Sequence, residues 1–261
     1  MDAAPVQHKA TDASSNDGDE EEAGPQTMKE RIDALLKENG IDMSDESKEN
    51  ARDEAFKHVK PQNQAKLFYD KDDLIQFHEL MLAKPLVKAC SDLEYEHPTI
   101  IQRKVIPAIL DGNDILAHSV TGSGKSAAFL LPILQKWVRL SQTRATEMGK
   151  LRYLILQPTR ELAAQCHSML QSLAKYMPKN FNTLAVFGGN NLKDEKRQIS
   201  FESPDIIVAT TGRLIDHMHN TRGFTLDDVE VLVLDEADRL LEMGFKDELM
   251  NIVGQCKNPI R

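Results

Sequence analysis

The sequence predicts an α/β fold, a mostly parallel sheet covered by helices on both faces, and three observations carry that prediction. Five short runs rich in Ile, Val and Leu occur at Asp114–His118, Arg152–Gln157, Asn182–Phe187, Asp205–Ala209 and Glu230–Leu234. They lack the polar alternation of a half-exposed strand, so each reads as a strand buried on both faces. Helix-length segments beginning near Gly124, Thr159, Asn191 and Gly212 separate them, and that alternation means βαβ units. Third, glycines, hydroxyls and carboxylates fall directly after the apolar runs, where ligands sit in such sheets.

Taken in order, residues 1–26 hold seven acids and one lysine, Lys9, and almost nothing large and apolar. Such a segment cannot offset the entropy of ordering and is predicted to be a disordered acidic tail. Residues 27–73 read as an N-terminal helical extension. Thr27-Met28-Lys29-Glu30 is a capping-box pattern, Ile32, Leu35 and Leu36 follow at helical spacing, and Gly40 is a plausible stop. A second amphipathic stretch runs from about Ser44 to Val59 and halts before Pro61. The α/β domain occupies 74–261.

Composition narrows the function classes. Hydrophobic content of 41% and charged content of 28% suit an ordinary globular chain. No apolar run is long enough to cross a bilayer, so no membrane partner is expected, and the start Met1-Asp2-Ala3-Ala4-Pro5 has no secretory pattern. Cys90, Cys166 and Cys256 lie far apart, which argues against a disulfide framework or a zinc site. Six of the nine net negative charges sit in the tail. The remainder is close enough to neutral for a local phosphate-binding surface, but not for nucleic-acid binding by bulk charge.

Two places carry chemistry. The run Asp114–His118 leads into Ser119-Val120-Thr121-Gly122-Ser123-Gly124-Lys125-Ser126 and then an apolar helix. Strand, glycine turn and helix in that order make a phosphate-binding loop: glycines let backbone N–H groups face phosphates, and the helix N-terminus adds partial positive charge. Lys125 can reach β/γ-phosphates and the Ser126 hydroxyl can ligate Mg²⁺. Ser119 stands where the first glycine of the usual pattern belongs. The second place is Asp235-Glu236-Ala237-Asp238 after Val231–Leu234. Phosphoryl transfer needs a carboxylate for Mg²⁺, a role that suits Asp235, and a group to orient water, which suits Glu236. An acidic helix cap is the structural alternative.

With these residues in view, the chain resembles the DEAD-box ATP-dependent RNA helicases, in particular their N-terminal RecA-like P-loop domain. Asp235-Glu236-Ala237-Asp238 matches the family's signature, and Pro158-Thr159-Arg160-Glu161-Leu162-Ala163 matches its motif Ia. Gly188-Gly189 matches the GG motif. Thr210-Thr211-Gly212-Arg213 resembles motif Ib with Thr211 where Pro is usual. Pro98-Thr99-Ile100-Ile101-Gln102 resembles the Q motif, Phe77 falls at the family's upstream aromatic position, and Glu94 replaces a common Gly. The surroundings of Gly212–His217 are most similar to the nucleolar ribosome-biogenesis branch.

The resemblance implies roles. ATP and Mg²⁺ would be the cofactors, with Thr121, Gly122, Ser123, Gly124, Lys125 and Ser126 around the phosphates. Gln102 would read the adenine edge and Phe77 would pack on the base. Pro158, Thr159, Arg160, Gly188, Gly189, Thr210, Gly212 and Arg213 would line an RNA backbone track of little sequence specificity. Arg160 either supplies charge there or holds motif Ia in place. Asp238 would couple nucleotide state to a neighbouring motif. A second RecA-like domain, carrying arginine fingers, would follow Arg261. The piece is therefore expected to be monomeric, to bind nucleotide and to lack helicase activity alone, in a protein of the nucleus and nucleolus. Two rivals are a non-catalytic clamp that binds nucleotide without turnover and a DNA helicase or other P-loop ATPase.

Overall fold

Four of the five apolar runs become strands: β1 (Tyr153–Gln157), β2 (Thr183–Val186), β3 (Ile206–Thr210) and β4 (Val231–Leu234). They form one sheet in the order β2-β3-β1-β4, and every pairing is parallel. The structure is a computed structural model that describes residues 75–143, 149–242 and 244–257. The expected tail, the helical extension and the end of the chain lie outside the described residues.

Helices precede and connect the strands. A short 3-10 turn (Phe77–Leu80), α1 (Lys84–Asp92) and α2 (Ile100–Leu110) come first, followed by the 19-residue α3 (Lys125–Thr143). Next come α4 (Arg160–Leu173), α5 (Leu192–Glu202) and α6 (Thr211–Asn220), then α7 (Ala237–Glu242) and α8 (Lys246–Gln255). Thr159 and Asn191, read as helix starts, cap α4 and α5 with their side chains.

The sheet buries both faces because successive residues point to opposite sides. Tyr153 and Ile155 of β1, with Ile206 and Val208 of β3, pack against Leu130, Leu134 and Trp137 of α3 and Leu170 of α4. Leu154 and Leu156, with Ile207 and Ala209, pack against Leu214 of α6 and Leu249 and Ile252 of α8. Each fully buried aliphatic side chain contributes about 1.5–3 kcal/mol. These two layers fix the carboxyl ends of the strands, where the motifs lie.

The run Asp114–His118 departs from the sequence reading: it joins no ladder, and Ile115 and Leu116 are each 36% exposed. Hydropathy reports a segment's capacity to be buried, whereas a strand also needs a neighbour for its N–H and C=O groups. Among the described residues β4 is the edge strand on its side of the sheet, and the run does not pair with its open edge.

Candidate active site

The predicted phosphate loop runs directly into α3. Gly122 (φ +81°) and Gly124 (φ +91°) adopt left-handed backbone that favours glycine. Gly124 is glycine for a second reason, since a β-carbon there would lie 2.4 Å from Gln102 Nε2. The Lys125 ammonium donates to the Ser119 carbonyl across the loop. Ser123 is buried with no partner for its hydroxyl, and Thr121 is exposed. Gly124 C=O accepts the first bond of the helix from Ala128 N–H at 3.1 Å.

The acidic motif sits one strand position beyond β4. Asp235 N–H donates to Leu156 C=O at 3.1 Å, which extends the β1–β4 ladder and fixes the residue at the sheet's carboxyl edge. Both carboxylate oxygens of Asp235 accept: Oδ2 from Gln157 Nε2 at 2.9 Å and Oδ1 from Glu236 N–H at 3.2 Å. Glu236 has φ +50°, rare for a non-glycine, and its Oε2 lies 3.1 Å from Arg239 Nη1. Burial holds the Glu236 carboxyl above the usual range. Asp235 and Asp238 push the same way, against Arg239 and Lys125.

No group of three or more His, Cys, Asp or Glu side chains is arranged to hold a metal among the described residues. Mg²⁺ is typically held by one or two carboxylates and substrate phosphates rather than by a protein cage. Asp235, and Ser126 at the start of α3, are the oxygen donors that would supply the protein's share.

The adenine side differs from the reading in detail. Gln102 is 4% exposed, and both ends of its amide are occupied: it accepts from Thr99 N–H at 3.0 Å and donates to Gly124 C=O at 3.1 Å. It therefore ties the start of α2 to the phosphate loop. Phe77 is buried at 4% exposure and stacks on Tyr95, ring centroids 6.3 Å apart and 29° between planes. Both line an open cavity of about 400 Å³ with His97 and Gln76, and Gln102 is not among its walls. Tyr95, which lines the same cavity, was not singled out in the sequence, although an aromatic seven positions before Gln102 was visible. Glu94, at the position of the family's glycine, has φ +57°.

The expected RNA track is gathered at the carboxyl ends of β1, β2 and β3. Pro158 and Thr159 follow β1, Gly188 and Gly189 follow β2, and Thr210 ends β3 with Gly212 just inside α6. Both arginines, however, are engaged by protein. The Arg160 guanidinium lies over Gly188 so closely that a β-carbon there would be 2.8 Å from Nη2. Arg160 thus packs against the glycine pair, a contact that neither of its readings, charge for RNA or support of motif Ia, had named. Arg213, 16% exposed, lies 2.9 Å from Glu195 Oε2 and donates to Asn190 C=O at 2.6 Å. Glu195 also meets the fully buried His217 at 2.9 Å, and His217 reaches Thr221 at 2.8 Å. Thr211, in place of the usual Pro, donates to Glu248 of α8 at 2.5 Å. Glu195, Glu248 and Gln157 carry no signal in local sequence, because their partners lie 18 to 78 positions away. Asp238 stands in the first turn of α7 beside Glu236.

A parallel sheet with a glycine loop entering a helix and adjacent acids at a strand's carboxyl end defines a P-loop nucleotide-binding domain. Comparison with known proteins is more specific. The DEAD/DEAH box helicase family model matches residues 99–261. A probable ATP-dependent RNA helicase ddx27 of Dictyostelium discoideum is 49% identical over 186 residues, 71% of this chain and 23% of its own length. An ATP-dependent RNA helicase drs1 of Aspergillus oryzae is 40% identical over 251 residues, 96% of this chain and 27% of its own. Among solved structures, the DEAD-box helicase Mss116 bound to ssRNA and UDP-BeF is 31% identical with a TM-score of 0.64, covering 71% of this chain and 38% of that one. This chain belongs to the DEAD/DEAH box helicase family, and its fold is the family's RecA-like fold. It spans about a quarter of the length of the two curated relatives.

Proposed function

We propose that the chain is the nucleotide-binding half of an ATP-dependent RNA helicase that unwinds short duplexes or remodels RNA–protein complexes. The observation that carries this reading is the left-handed glycine loop that runs into α3, together with Asp235 fixed by its ladder bond at the sheet's carboxyl edge. Lys125 leaves the Ser119 carbonyl to meet the β/γ-phosphates, and the loop N–H groups complete the cradle. Asp235 and Ser126 would hold Mg²⁺, which when bound would neutralise charge developing on the phosphates, and Glu236 would orient the attacking water and take its proton. The rise that burial gives its carboxyl favours the protonated form such a base must reach. Adenine packs near Phe77, with Gln102 exchanging a partner to read its edge.

RNA lies along Pro158, Thr159, Gly188, Gly189, Thr210 and Gly212, bound through its backbone with little sequence specificity. Arg160 and Arg213 shape that track by holding its loops. A second RecA-like domain of the same parent chain supplies the arginine worth about 10³–10⁵ in rate. The piece alone, a monomer, binds nucleotide and turns over poorly. Kinship with drs1 and ddx27 supports a role in ribosome biogenesis in the nucleolus, and Asp238 then couples nucleotide state to the second domain.

Calorimetry with ADP and Mg²⁺ tests the reading. Lys125→Ala should lose about 2–5 kcal/mol of binding, as truncated buried charge pairs do. Equal binding by variant and wild type would remove the loop from the mechanism. RNA-stimulated hydrolysis should require fusion to the second domain, and DNA should stimulate less than RNA.

A further inference from the structure

We propose that Gln157, which no motif includes, is a positioning residue for the metal-binding carboxylate of Asp235. The inference rests on the Mg²⁺–nucleotide reading above. Gln157 is the last residue of β1, and β1 pairs with β4 so that Leu156 stands opposite Leu234. The next pair in that register is Gln157 and Asp235. The Asp235 N–H to Leu156 C=O bond of 3.1 Å carries the ladder that far. Parallel strands lie about 4.8 Å apart, so the two side chains rise side by side from one face of the sheet.

The contact has one chemically sensible direction. An ionised carboxylate only accepts hydrogen bonds, so the amide must present its NH₂, as it does at 2.9 Å to Oδ2. Gln157 is 1% exposed, and its Oε1 is buried with no hydrogen-bond partner. A buried amide left half satisfied is costly at a position where its neighbours in β1 are Tyr, Leu and Ile. An apolar side chain would fill the same space without that cost. Besides a contact with the Cys166 thiol, the amide's other end holds Asp235, and that contact accounts for a polar residue here. With Gln157 on Oδ2 and the Glu236 N–H on Oδ1 at 3.2 Å, the carboxylate plane of Asp235 is fixed from two sides before any ion arrives. Each oxygen keeps lone-pair capacity for a cation or its waters. Groups that hold a metal's ligands in this way typically change metal affinity by about 10–100-fold when removed.

The test titrates Mg²⁺ into the 261-residue chain saturated with ADP and compares wild type with Gln157→Met and Gln157→Asn. Met keeps the length and buried volume but removes the donor; Asn keeps the amide on a shorter arm. The half-saturating Mg²⁺ concentration should rise about 10-fold in the Met variant and less in the Asn variant. ADP affinity in EDTA should stay within about twofold in both, which a merely structural role would not ensure. Equal Mg²⁺ half-saturation in all three proteins overturns the proposal, as does a parallel loss of ADP affinity in EDTA. If Gln157→Met does not fold, Gln157→Asn decides alone by the same two readings. A wild type that binds ADP identically with and without Mg²⁺ overturns the functional reading itself and this inference with it. A wild type that responds to Mg²⁺ beside unresponsive variants isolates Gln157.

Discussion

Replacing Glu94 by glycine should stabilise the domain, and the size of the effect follows from one backbone angle. Helix α1 ends in a Schellman turn: Tyr95 N–H bonds Cys90 C=O at 3.0 Å and Glu94 N–H bonds Ser91 C=O at 3.0 Å. That geometry puts Glu94 at the C′ position with φ +57°, where a β-carbon crowds its own backbone. Left-handed backbone costs a non-glycine residue roughly 1–2 kcal/mol. Against this, glycine loosens the unfolded chain by about 0.4–1 kcal/mol. The difference is a net gain of roughly 0.5–1 kcal/mol for Glu94→Gly. In a domain of this size it raises Tm by about 1–4 °C. Glu94→Asn should gain less, since Asn tolerates the region only in part, and Glu94→Ala should gain nothing because it keeps the β-carbon. Thermal unfolding of the four proteins at one pH ranks them. A rise in Glu94→Ala equal to that in Glu94→Gly would show that removing the exposed carboxylate, not the backbone angle, is responsible.

Three further expectations come from the site. Gly124→Ala, with φ +91° and a β-carbon 2.4 Å from Gln102 Nε2, should abolish ADP binding. Gly122→Ala meets nothing within 4 Å and should cost only the about 1–2 kcal/mol of its angle, as calorimetry would read. Thr211→Val removes the donor to Glu248 and should lose about 1.5–3 kcal/mol in urea unfolding, with Thr211→Ser restoring most of it. Glu236→Gln should raise Tm at neutral pH, since burial penalises the ionised carboxyl in the folded state. The unfolded chain ionises first as pH rises, so the advantage should be absent below the ordinary glutamate range and grow as pH climbs through the folded pKa. An advantage that is constant with pH would contradict that origin.

Much of the fold was legible because it depends on quantities a sequence displays. Arg152–Gln157 and Asp205–Ala209 are apolar enough to need cover on both faces, and the structure covers both. Thr159 and Asn191 cap helices through bonds to residues two or three places on, an interaction local enough to read directly. Asp114–His118 misled because its composition satisfies the same test while pairing depends on a neighbour elsewhere in the chain. Glu94 shows the converse. A departure from the family's glycine, visible as a single letter, marks a position whose left-handed angle only coordinates reveal.

The candidate site divides along the same line. The groups that would touch phosphate, metal or water, namely Lys125, Ser126, Asp235 and Glu236, stand at fixed short spacings because one turn must present them together. Each of the polar contacts that hold the motifs to one another is supplied by distant chain. Gln102 crosses 22 positions to Gly124, Gln157 crosses 78 to Asp235, and Thr211 crosses 37 to Glu248. Arg160 and Arg213 show why residue type alone is insufficient. A guanidinium after a strand reads as a phosphate ligand, yet the same planar fork equally suits a carboxylate or a carbonyl within the fold. Glu195 decides the case for Arg213, at 2.9 Å and 3% exposed, since a buried carboxylate needs a cation more than an exposed phosphate does. If RNA lies along this track as proposed, the arginine would act on it through the loop it braces, and its loss should change the shape of the track more than its charge.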